Sequence, residues 1–83
     1  MIVPAEGWLI LEVIEDSPLE TVHKGKIVGY NTKIGLHEGD IVYYSRYMSA
    51  SFERENKGYV FLKDDRYFGV ERERAEYGPS EQE

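Results

Sequence analysis

The chain contains no cysteine. Disulfide staples and thiolate metal sites are therefore excluded. Its 83 residues make one domain with a modest core, so stability must be helped by something else, and association is the remaining route. Basic residues are scarce: 10 Lys and Arg stand against 16 Asp and Glu, a net charge of −6. From Glu71 onward five Glu meet two Arg, so half of that charge lies at the C-terminal end and residues 1–70 carry about −3. Such a balance argues against recognition of nucleic-acid phosphates, which needs clustered Lys and Arg, and against anionic membrane surfaces. Long apolar runs are missing too, and none approaches the roughly 18 residues of a membrane span. The first residues, Met1-Ile2-Val3-Pro4-Ala5-Glu6, lack the basic and apolar regions of a secretory signal. With cysteine absent, a cytoplasmic protein is expected.

Histidine occurs only at 23 and 37. A metal site would need both beside a carboxylate, and nothing in their spacing forces that. Both lie in polar stretches, so surface histidines are expected, with neither metal nor cofactor. Ser17, Ser45, Ser49 and Ser51 stand outside any Gly-x-Ser-x-Gly elbow. Glu15-Asp16 and Asp64-Asp65 are adjacent acids. Neighbours on a strand point to opposite faces, so these pairs do not flank a glycosidic bond. The glycines at 25, 29, 35 and 39 precede no Lys-Ser/Thr helix start and cradle no phosphate. No enzyme is expected.

What the sequence does have is period-two alternation, the signature of strands. Residues 8–14 read Trp-Leu-Ile-Leu-Glu-Val-Ile. Leu9, Leu11 and Val13 share one face, but the other face is apolar as well, which predicts a strand covered on both sides. Residues 15–24 are polar and broken by Ser17-Pro18, which predicts a loop. Strands follow at 26–30, 40–47, 50–55, 59–63 and about 67–72, with Ala50 and Phe52 expected inward and Ile34 and Leu36 available to plug the core. Glu55-Asn56-Lys57-Gly58 predicts a three-residue hairpin loop closed by glycine. Asp64-Asp65-Arg66 turns the last corner. The many Tyr and Phe from Tyr30 to Phe68 are expected in the core and in subunit contacts rather than as a base-stacking platform, which would carry more basic residues. The fold class is all-β, a small antiparallel barrel over residues 1–73, followed by an acidic, disordered tail at 74–83.

The order of these segments resembles the GroES-like co-chaperonins. Pro4 precedes a strand, Trp8-Leu9-Ile10-Leu11; Gly25-Lys26-Ile27-Val28-Gly29 stands where that family has a Gly-x-Val-x-x-Val-Gly strand; Leu36-His37-Glu38-Gly39-Asp40-Ile41-Val42 matches its Val-x-x-Gly-Asp-x-Val. An apolar strand, an acidic corner and a final strand close the series. The resemblance implies a homo-oligomeric ring in which terminal strands meet between subunits, through Ile2, Val3, Tyr67, Phe68 and Val70. It also implies a large chaperonin as partner, docked by the loop after the first strand, whose large apolar residues are Leu19 and Val22. That loop is shorter than in the family, and the family's roof hairpin is reduced to Asn31-Thr32-Lys33. The alternative reading is a self-assembling structural or protein-binding barrel without a chaperonin.

Overall fold

The computed structural model describes residues 2–15 and 21–72. Six strands follow one another: β1 (Trp8–Glu15), β2 (Val22–Asn31), β3 (Ile41–Ser45), β4 (Ser49–Arg54), β5 (Lys57–Lys63) and β6 (Tyr67–Glu71). A single 3₁₀ turn, Arg46–Met48, joins β3 to β4. The strands form one sheet in the order β4-β5-β1-β2-β3-β6, and every neighbouring pair is antiparallel. The protein is thus all-β, as the alternation predicts. It is an open barrel: among the described residues β4 and β6 are edges that do not pair with each other.

One core explains the curl. Leu9, Leu11, Ile27, Leu36, Val42, Tyr44, Val60 and Leu62 form a single buried cluster, with Val13, Tyr67 and Val70 packed against it. β5 and β6 both contribute, although they stand four places apart in the sheet. In a flat sheet that would separate them by about 19 Å at 4.8 Å per strand. Only a bent sheet brings Leu62 and Val70 to one core. β1 lies at its centre and its first half is covered on both faces: Leu9 and Leu11 are wholly buried inside and Ile10 is 5 % exposed outside, whereas Ile14 near its end is 50 % exposed. The outer cover includes the N-terminal segment, where Pro4 is buried and its carbonyl accepts a hydrogen bond from Asn31 Nδ2 at 3.1 Å.

Two glycines are required by geometry. A side chain at Gly25 would place Cβ 2.9 Å from Leu11 Cβ and 3.3 Å from the Glu12 carbonyl oxygen, so β2 can lie this close to β1 only without one. Gly39 adopts φ +97°, in the region that favours glycine, and its N–H donates to the Ile27 carbonyl at 2.9 Å. This is the Gly-Asp corner seen in the sequence.

Several expectations are corrected. β2 begins at Val22, not at 26, because Val22, His23 and Lys24 pair with Ser45, Tyr44 and Tyr43. Alternation hidden in a polar stretch turns His23 inward, where it is 6 % exposed and meets Tyr44 edge-on at 5.9 Å; it is no surface histidine. β3 ends at Ser45, whose Oγ accepts from Tyr47 N–H and starts the 3₁₀ turn. β4 is inverted relative to the reading above. Ser49 and Ser51 lie opposite the buried Leu62 and Val60, while Ala50 and Phe52 lie opposite Phe61 and Tyr59 on the outer face. There Phe52 stacks on Tyr59 and Phe61, with centroids 5.4 and 4.6 Å apart; an aromatic ladder across strands offers partners that a rim position inside the barrel does not. The hairpin loop has two residues, Glu55 and Asn56, at φ 53° and 68°. Two positive φ angles match the twist of the flanking strands better than the longer loop. Leu36 plugs the core at 3 % exposure, whereas Ile34 is exposed. The tail at 74–83 lies outside the described residues.

Candidate assembly and docking surfaces

Residues 2–7 run over the outer face of the barrel. Gly7 N–H donates to the Asn31 carbonyl at 2.7 Å, Trp8 N–H to the Ala5 carbonyl at 3.0 Å, and Asp64 N–H to the Gly7 carbonyl at 2.9 Å. These bonds pin the N-terminal segment to both the β2 end and the acidic corner. Ile2 lines a 150 Å³ cleft with Ile10, Val28, Phe52 and Tyr59. It is half-buried against its own subunit, and Val3 beside it is 74 % exposed.

β6 supplies the other three residues assigned to a subunit contact. Its ladder with β3 pairs Val42 with Val70, Tyr43 with Gly69 and Tyr44 with Tyr67, so Phe68 is the extra residue of a β-bulge. Simple alternation would put Phe68 and Val70 on one face. The bulge separates them. Tyr67 and Val70 pack against the core, and Phe68 alone is strongly exposed, at 63 %. The two groups belong to different parts of the sheet within one subunit: Ile2 sits over β1, β2, β4 and β5, while β6 borders β3.

The residues proposed to dock a partner are split. Leu19 lies outside the described residues. Val22 is 44 % exposed, but it is the first residue of β2 and is held opposite Ser45. It is therefore part of the sheet rather than of a loop. Arg46 N–H donates to the Thr21 carbonyl at 3.2 Å, which brings the 3₁₀ turn to the same end. That turn adds Tyr47, 75 % exposed, and Met48, 46 % exposed. The sequence places Tyr47 at the end of a strand over 40–47 and does not single out Met48; the signal available was an apolar pair placed just where a strand stops.

A cavity of 490 Å³ opens nearby, lined by Val13, His23, Tyr44, Arg46, Ser49, Ser51 and Val60. Two serine hydroxyls of this region serve the backbone: Ser45 Oγ accepts from Tyr47 N–H, and Ser49 Oγ donates to the Arg46 carbonyl at 3.4 Å. Among the described residues no three His, Asp or Glu side chains gather as metal ligands, and no helix is long and apolar enough to cross a membrane.

The Gly-Asp corner is bonded at several points. Asp40 is 6 % exposed. Its Oδ2 accepts from His37 N–H at 3.0 Å and from Arg72 Nε at 3.0 Å. Its main-chain carbonyl accepts from Ile27 N–H at 2.9 Å. Asp at this position thus caps its own turn and binds the end of β6, a structural task that explains the residue type. No protein-family model and no curated protein matches this sequence.

Proposed function

We propose that this protein is a non-enzymatic barrel subunit that assembles with copies of itself into a ring, in the manner of the GroES-like co-chaperonins it resembles, and acts in the cytoplasm. The observation that carries the reading is the edge formed by β6: one side is paired to β3, the other has no strand beside it among the described residues, and Phe68 projects from it. A bare edge carrying a large apolar side chain invites another strand, and a closed ring satisfies it without open-ended growth. Val3, also strongly exposed, offers the neighbouring subunit's N-terminal segment as the complement. Native mass measurement tests this. A defined oligomer that Phe68→Ser dissociates supports the ring; a monomer at all concentrations refutes it.

A chaperonin partner would use Leu19 and Val22, each contributing on the order of 1.5–3 kcal/mol on burial and multiplied by the valency of a ring. The position of Val22 inside β2 favours the second reading, a structural or protein-binding module without a chaperonin. It leaves Leu19 as the one large apolar residue in 16–21. Pull-down with a large chaperonin and nucleotide, comparing wild type with Leu19→Ser/Val22→Ser, separates the two.

A further inference from the structure

β6 is a lightly secured edge strand. Among the described residues it has one neighbouring strand, its ladder is interrupted at Phe68, and only Tyr67 and Val70 reach the core, each half-buried. An exposed bond from the Tyr43 hydroxyl to the Glu71 carboxylate, 2.8 Å, adds little hold. A strand attached in this way opens locally at small cost, yet an assembly edge has to be in place before a second strand can add to it.

The end of β6 carries a clasp. Arg72 Nε donates to Asp40 Oδ2 at 3.0 Å, and its Nη2 donates to the Gly35 carbonyl. The Asp40 side chain is 9 % exposed and the Arg72 side chain 29 %, so the pair is largely shielded from water and screened little by salt. Asp40 is itself bound to β2, through its own carbonyl to Ile27 N–H and through Gly39 N–H to the Ile27 carbonyl. The guanidinium therefore fastens the outermost strand, past β3, to a strand in the middle of the sheet. It does so with two donors aimed at two different acceptors, a task for the planar fork of Arg and not for the single ammonium of Lys.

We infer that the Arg72–Asp40–Gly35 clasp holds β6 in register as the edge that receives a second copy of this chain, which makes Arg72 a positioning residue for assembly. This rests on the ring reading above. The test is amide hydrogen exchange on the full chain, wild type against Arg72→Gln and the milder Arg72→Lys, with native mass spectrometry on the same samples. In Arg72→Gln the β6 amides that pair with β3 should exchange at least about tenfold faster, while the amides of Leu9 and Leu11 in β1 keep their protection. Arg72→Lys should fall between. The oligomer should dissociate in the same order. Unchanged β6 exchange in both variants overturns the clasp. So does equal loss of protection in β1 and β6 in both variants, because Arg72 would then support the whole fold rather than one strand. A monomeric wild type whose β6 loosens in Arg72→Gln would overturn the ring and leave the clasp standing, since exchange is read within one chain.

Discussion

β1 and β6 are built from similar residues and are held in opposite ways. β1 has strands on both sides and cover on both faces; Leu9, Ile10 and Leu11 are all buried. Among the described residues β6 has one neighbouring strand, a bulge and an exposed Phe68. Composition does not separate them, since both are rich in large apolar side chains. Position in the sheet does. An apolar side chain adds stability where the centre of the sheet buries it and is left open to contact where the edge exposes it.

The sharpest way to break this contrast is at the centre. Leu11→Ala should destabilise the protein by about 2–5 kcal/mol, the usual cost of a cavity in a core with no room to collapse. Urea unfolding followed by circular dichroism measures it, and a loss below 1 kcal/mol would mean that β1 is not the centre of the core. Gly25→Ala comes next. Its Cβ would stand 2.9 Å from Leu11 Cβ, a rigid neighbour, so overpacking should cost about 1–3 kcal/mol. The same denaturation curve reports it.

Smaller effects belong to the periphery. Glu55 holds φ 53° in the two-residue hairpin, a conformation that Asn tolerates better. Glu55→Asn should therefore stabilise the protein by on the order of 0.5–1 kcal/mol, seen as a higher urea midpoint with an unchanged slope. Phe68→Ser should change the subunit's own stability least, by no more than about 0.5 kcal/mol, as expected for an exposed side chain, and should lower the mass of the ring proposed above. Equal loss of stability from Leu11→Ala and Phe68→Ser, measured on the monomer in dilute solution, would erase the distinction between centre and edge.

Much of the architecture was legible in the residues. Alternation at 8–14 placed Leu9 and Leu11 inside and anticipated that Ile10 would be covered too. Gly39-Asp40 and Asp64-Asp65-Arg66 were legible as corners because their residue types suit turns; Arg66 N–H indeed donates to the Lys63 carbonyl at 3.0 Å. His23 was misplaced because its neighbours are polar, and local composition outweighed a face visible only when β2 is paired with β3. Phe52 was misplaced for the converse reason: an aromatic residue reads as inward until Tyr59 and Phe61 are found beside it on the outside. Of the exposed residues, Phe68 and Tyr47 were both read among the aromatics expected in the core or in subunit contacts, and only the structure shows that they stand on the surface of the subunit, since nothing local distinguishes an exposed aromatic from a core one.

The amino-acid pattern by itself determined that this chain forms short antiparallel strands around one core, with turns where Gly, Asn and Asp stand. Those are local properties: backbone preference and period-two burial act within a few residues. Tertiary structure alone decided which face of β4 turns inward, where the β6 ladder slips by one residue to throw Phe68 outward, and that Arg72 reaches Asp40, 32 positions away. Register across a sheet depends on which strands become neighbours, and a slip of one residue exchanges inside for outside, so no stretch of sequence read alone contains that choice.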